Sequence, residues 1–173
     1  GVFGQFKDPK IPGFSIESIY NNSMNISARA RLIAQLLALD GIAPDNILMA
    51  GMLHDTGKLM MIGYFEDALR QSIALSKEKK ISLNETQREV MDVDDAEIGA
   101  YLLSLWGLPN SILEAVAYHY RPSRIKRPMI NTLTTIHLSY AITVDEKNNI
   151  RNDSESVVDF DYITSLGLES SLQ

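Results

Sequence analysis

Cysteine is absent from the 173 residues, which removes disulfides, thiolate metal sites and a cysteine nucleophile, and suits a reducing compartment. No uninterrupted apolar run approaches the ~18 residues of a membrane-spanning helix, and nothing N-terminal has the pattern of a signal peptide. Basic residues are in the minority: 16 Lys and Arg stand against 22 Asp and Glu, for a net charge of −6. That balance leaves no broad basic surface to release counterions from nucleic acid or an anionic membrane. The expectation is a cytoplasmic protein with neither as a partner. Strand alternation, hairpin dipeptides and internal repeats are also lacking, so the chain reads as nearly all α-helix.

What is present suits one soluble domain, with 45% hydrophobic and 22% charged residues. The chain opens on Gly1 and not Met, and is read as a piece of a longer protein. Residues 1–14, with Gly4, Pro9, Pro12 and Gly13, carry no period and read as a connecting arm; residues 15–173 read as the domain. Ser15 opens the first helical pattern, whose stripe is Ile19, Asn22, Ile26, Ala30, Ile33 and Leu37. Asn22, polar on an apolar stripe, requires a partner.

Gly41 and Pro44 break the chain, and Asp45 is expected to cap a second helix that ends in Gly51-Met52-Leu53-His54-Asp55-Thr56-Gly57-Lys58. Here an imidazole and a carboxylate stand side by side, and Gly57 is the residue type that closes a helix in the left-handed conformation. Ile47, Ala50, Gly51 and His54 share a face, which turns His54 inward. The stretch is no phosphate loop: the two glycines miss the Walker spacing and Leu59 stands where Ser or Thr is required.

Further helices are expected over Tyr64 to Lys80, with Phe65, Leu69 and Ile73 inward, and over Ser82 to Met91. The next follows the acidic group Asp92, Asp94 and Asp95, with Asp95, Gly99, Leu102 and Trp106 on one face. Asn110 to Tyr120 points His119 inward, and Met129 to Val144 puts His137 and Tyr140 on its stripe. Between them lies a basic, proline-punctuated loop with Arg121 and Arg124, read as a solvated connection or an anion-binding rim. Asp145 to Ser156 reads as a polar loop without the Gly and Glu of a calcium site, and the tail offers one short helix near Tyr162 to Leu166.

Taken together, "AGMLHDTGK" and the later "AEIGAYLLSLWGLPNSILEAVAYHYRP" resemble the HD superfamily, and more narrowly its HDOD branch, the HD-related output domains of bacterial signalling proteins. The likeness runs roughly from Tyr20 to Tyr140 and implies an HD-like bundle of about six to eight helices. Enzymes of the superfamily hold one or two divalent ions with His and Asp side chains and activate water against a phosphate ester; N and O donors suit Mn, Fe, Ni or Mg.

Carried over position by position, the first family histidine matches Asn22, the His-Asp pair is His54 and Asp55, and the next histidine falls at Asp95 or Asp94. The closing histidine is His119 and the final aspartate matches Tyr140, while Lys58 keeps the Lys of the His-Asp-x-Gly-Lys pattern. The resemblance thus implies a metal set of His54, Asp55, Asp95 and His119 that has lost two good donors. Asn22, Tyr140 and His119 are expected to hydrogen-bond one another in the old site. The reading that follows is a non-catalytic regulatory module without a resident metal, joined to a signalling domain such as a receiver. Its alternatives are a one-ion phosphohydrolase, with Lys58 as the catalytic cation and Arg121 or Arg124 holding phosphate, and a pocket that binds a nucleotide without hydrolysis.

Overall fold

A computed structural model describes residues 11, 14–151 and 157–168. Nine α-helices and one short 3-10 turn occur among these residues, and no strand does. In chain order they are α1 (Ile16–Leu36), α2 (Pro44–Leu53), α3 (Thr56–Tyr64), α4 (Glu66–Lys79), α5 (Leu83–Met91), α6 (Asp95–Leu105), α7 (Asn110–Tyr118), the 3-10 turn (Pro122–Arg124), α8 (Thr132–Arg151) and α9 (Phe160–Ser165). The all-α expectation holds. The helices are punctuated by residues suited to the task. Ser15 and Ser18 form a reciprocal capping box on α1, Glu85 reaches back to Ser82 at the start of α5, and Asp94 accepts the Glu97 N–H at 3.0 Å to begin α6.

Several local expectations need correction. Gly57 closes no helix: α2 stops at Leu53, and a new helix, α3, begins one residue after Asp55. Only Gly107 and Gly167 among the described glycines take positive φ. Gly57 is needed for close approach instead, since a Cβ there would lie 1.7 Å from the Asp95 carbonyl oxygen. Asp45 sits in the first turn of α2 behind Ala43 and Pro44, and so does not cap it. Phe65 and Trp106 face solvent, Trp106 at 64% exposure, because α4 starts only at Glu66 and α6 ends at Leu105. The helix anticipated from Met129 starts at Thr132, where Asn131 Oδ1 accepts the Leu133 N–H at 2.9 Å. It also continues to Arg151 through part of the supposed polar loop; residues 152–156 lie outside the described set. Residues 1–10, 12 and 13 of the expected arm lie outside it as well.

Burial on helical spacing explains the packing. Ile26 and Ala30 of α1, Ile47 and Ala50 of α2, Leu103 of α6, Ile112, Ala115 and Val116 of α7, and Leu133 and Ile136 of α8 form the main core. A second cluster, around Met61, Ile62 and Leu69, joins α3 to α4. A third, of Leu138, Tyr162 and Ile163, seats α9 on α8. Helix α8 also buries Thr135, Ser139 and Thr143, whose hydroxyls donate to carbonyls three or four residues earlier, so burying them leaves no donor stranded. These contacts bring the ends of α2 and α7, the starts of α3 and α6, and the middle of α8 to one place.

Candidate functional site

His54 and Asp55 occupy the link between α2 and α3, a position that lets consecutive side chains turn into the same interior. His54 is 0% exposed and Asp55 2%. The His54 ring sets its Nδ1 2.8 Å from the Gly51 carbonyl oxygen, and His119, at the end of α7, repeats this with Val116 at 2.8 Å. A carbonyl only accepts, so each Nδ1 carries a proton; His119 Nε2 turns a lone pair toward the interior, and His54 Nε2 faces the Asp55 carboxylate. The two rings meet edge to face with centroids 5.2 Å apart. His119 Nε2 is buried and has no hydrogen-bond partner among the described residues.

Asp55 is the anion between them. Its Oδ1 lies 3.3 Å from His54 Nε2 and 2.6 Å from the Lys58 ammonium, and its Oδ2 accepts from Asn22 Nδ2 at 2.9 Å. Burial pushes this carboxyl up, but the neighbouring His54 and Lys58 outweigh it and hold the group well below the usual carboxylate range. Burial pushes His119 down to about 3, with His54 adding to the effect, so its ring stays neutral. A metal-ligand atom from each of His54, Asp55 and His119 lies within 4.8 Å of the others.

The other expected site residues divide. Asn22 reaches the site, but it serves Asp55 and not the expected triad with Tyr140 and His119. Tyr140 supplies a wall, its ring 5.3 Å from His119 and 5.2 Å from Tyr120. Asp95 is buried at the start of α6 and stands outside the three-donor group. Its Oδ2 accepts from Tyr120 Oη at 3.1 Å, and its backbone N–H donates to Gln87 Oε1 at 3.0 Å. Burial raises the Asp95 carboxyl to about 6 against the pull of Lys58.

Arg121 and Arg124 stay outside on a rim. Arg121 pairs with Glu85, Arg124 is 3.9 Å from Glu97, and Arg121 lines a cleft of about 610 Å³ that reaches Tyr120 and Tyr140. A smaller cavity of about 230 Å³ opens onto Asn22, Asp55 and Lys58 from the α1 and α8 side.

Sequence reasoning missed two supporting groups, Gln87 and Tyr120. Gln87 lies one helical turn from both Leu83 and Met91, so its place on an inward stripe was the available signal. His137 is buried as expected but lies apart from the pocket. Its Nδ1 donates to the His119 carbonyl at 2.8 Å and its Nε2 accepts the Asp159 N–H at 3.0 Å, so both ring nitrogens are used for structure.

The HDOD domain profile matches residues 1–122 of the sequence, most of its length. The chain belongs to the HDOD family. A solved HDOD domain protein of unknown function from Geobacter sulfurreducens superposes on this HDOD chain with a TM-score of 0.70 at 21% identity, over 90% of this chain and 48% of that one. A protein named only as a candidate phosphohydrolase, from Shewanella amazonensis SB2B, gives 0.67 at 20% identity, over 81% and 50%. In sequence, an uncharacterized protein of Treponema pallidum (strain Nichols) is 25% identical over 127 residues, 71% of this chain and 24% of that protein. The HDOD chain therefore spans about half of each solved neighbour and a quarter of this relative. No helix among the described residues is long and apolar enough to cross a membrane.

The donor set can be tested directly against the metal that the HD fold implies. His119 Nε2 is an orphaned, buried lone pair, and His54 Nε2 faces a carboxylate oxygen, a contact that becomes favourable with a cation or proton between them. His54, Asp55 and His119 therefore fit one divalent ion of the kind that prefers nitrogen and oxygen. No second set of three His, Cys, Asp or Glu side chains lies as close together among the described residues, and Asp95 stands outside the group.

Proposed function

We propose that this HDOD chain is a non-catalytic signalling module whose buried pocket keeps the shape of an HD site without its turnover. The observation that carries the reading is the state of Asp55, the one carboxylate in the donor group, which already holds the Asn22 amide on one oxygen and the Lys58 ammonium on the other. A hydrolytic ion needs about three protein donors and an open position for water. Here one of the three donors is engaged by two side chains of the protein itself, and Asp95 is tied to the Tyr120 hydroxyl. When bound, an ion would supply Lewis acidity and a lowered water pKa. His54 and His119 would hold it by Nε2 and Asp55 by a carboxylate oxygen.

In this reading the pocket is a rigid polar core, and the output passes through contacts with signalling domains on the same polypeptide, such as a receiver, or with separate proteins in the bacterial cytoplasm. The greater length of the relatives supports a linked-domain role. The test is an assay of the chain with Mn²⁺ or Mg²⁺ against phosphodiesters and nucleotides. The expected result is no turnover that depends on His54; hydrolysis that disappears in His54→Ala overturns the proposal.

A second reading, a one-ion phosphohydrolase, is favoured by the orphaned His119 Nε2 and by the cavity that gives Asp55 and Lys58 an opening. The same assay decides it, together with elemental analysis of protein purified without chelator.

A further inference from the structure

Lys58 enters the site from the first turn of α3, three residues after Asp55, so the backbone delivers a cation to the carboxylate beside it. Its ammonium lies 2.6 Å from Asp55 Oδ1, the same oxygen that faces His54 Nε2 at 3.3 Å. The side chain is 19% exposed, and its head is also within electrostatic reach of Asp95 and Tyr140. Among the three donor residues Asp55 is the only anion, and one ammonium balances its charge. A divalent ion on Oδ1 would meet that ammonium at close range in a site poor in water, where like charges repel far more strongly than in bulk solvent.

We infer that Lys58 is a resident counter-ion that competes with a divalent metal for Asp55, so that the Asp55 charge is balanced without metal and an ion enters only when the ammonium leaves Oδ1. The inference deepens the signalling reading and rests on it in one respect, that the pocket is not maintained as a loaded hydrolytic centre. The geometry offers the ammonium a way out. The cavity of about 230 Å³ is lined by Phe14, Ser18, Lys58, Tyr140 and Val144, so the side chain can swing toward solvent between the start of α1 and the middle of α8. Lysine suits such a role because its single charge sits on a flexible four-carbon stem.

The experiment is calorimetric titration of the chelator-stripped chain with Zn²⁺ and with Mn²⁺, alongside thermal melts with and without each ion. Lys58→Gln and Lys58→Met are expected to bind one ion about 10- to 100-fold more tightly than the unmodified chain, the range over which groups surrounding a metal's ligands usually act. Their melting temperatures rise with the ion while that of the unmodified chain does not. Lys58→Arg, which keeps a cation in place, behaves as the unmodified chain, and His119→Ala added to Lys58→Gln abolishes the gain.

A Lys58→Gln chain that folds only with Zn²⁺ supports the inference equally. Equal affinity in the unmodified and Lys58→Gln chains, or weaker binding in the variant, overturns it. So does a variant that folds in neither condition while Lys58→Arg folds, since Lys58 is then a structural tie. Turnover of a phosphodiester by the metal-loaded, unmodified chain strikes the signalling reading instead, and leaves the Lys58 inference to the affinities.

Discussion

Two buried aspartates forty residues apart show how much a single neighbour decides. Asp55 keeps its charge because an ammonium and an amide hold it; Asp95 has the Tyr120 hydroxyl on its Oδ2 and the Lys58 charge farther off, and is raised to about 6, chiefly by burial. Since the folded state binds the Asp95 proton more tightly than the unfolded chain does, stability from this group is fully present below the ordinary carboxylate pKa and is lost as pH rises through about 6. Asp95→Asn, which can still accept from Tyr120, should therefore gain about 2 kcal/mol more relative to the unmodified chain at pH 7.5 than at pH 4.5, by denaturant unfolding at both. His137 has the opposite sign. Burial lowers its pKa, so stability present above about 6.5 is lost as pH falls. His137→Gln should be less stable throughout, yet its unfolding free energy should decline less steeply from pH 7 to 5, by up to about 1.4 kcal/mol per pH unit. Parallel pH curves for the two proteins would contradict this.

At the level of the helices, the crossing of α3 and α6 sets the site's dimensions. Gly57 lies against the Asp95 carbonyl, and a Cβ on Gly99 would come within 2.8 Å of the Gly57 nitrogen. Gly57→Ala should cost about 3 kcal/mol or more, because the obstacle is backbone and cannot rotate away. Equilibrium unfolding measures it, and a loss within a few tenths of a kcal/mol would show that the helices can separate. This crossing also marks where sequence reading stopped short. The apolar period exposed α1, α2, α6, α7 and the middle of α8, and it turned His54, His119 and Asp95 inward, because each sits at helical spacing from core residues. Gly57 announced a special backbone requirement without saying which one, so the restart of the chain as α3 was hidden. The far end of α8 was hidden for another reason. Residues 145–151 have no apolar stripe, and the support found there is a pair between Arg29 and Glu146 at 2.7 Å, a contact 117 residues long that no local pattern encodes. The roles of Tyr120 and Gln87 likewise depend on which helix ends meet, which spacing within one helix cannot tell.

Across the molecule, buried ionisable side chains meet at one site while several large apolar groups remain outside, among them Tyr101, Leu105 and Trp106 along and just beyond α6. The single tryptophan gives a simple check on the packing: with Trp106 at 64% exposure, its emission should be that of a largely hydrated indole, easily quenched by acrylamide and little shifted on unfolding. A blue-shifted, poorly quenched native emission would mean that this face is covered in solution. The histidines offer a complementary view, because all three point Nδ1 at a main-chain oxygen: Gly51, Val116 and His119. Long-range ¹H–¹⁵N correlation spectra of the imidazoles should accordingly place the Nδ1 resonances of all three in the protonated range. In the Lys58→Gln chain, added diamagnetic Zn²⁺ should move the Nε2 resonances of His54 and His119 and leave that of His137, bonded to the Asp159 amide, where it was, whereas in the unmodified chain at the same Zn²⁺ concentration all three should stay in place.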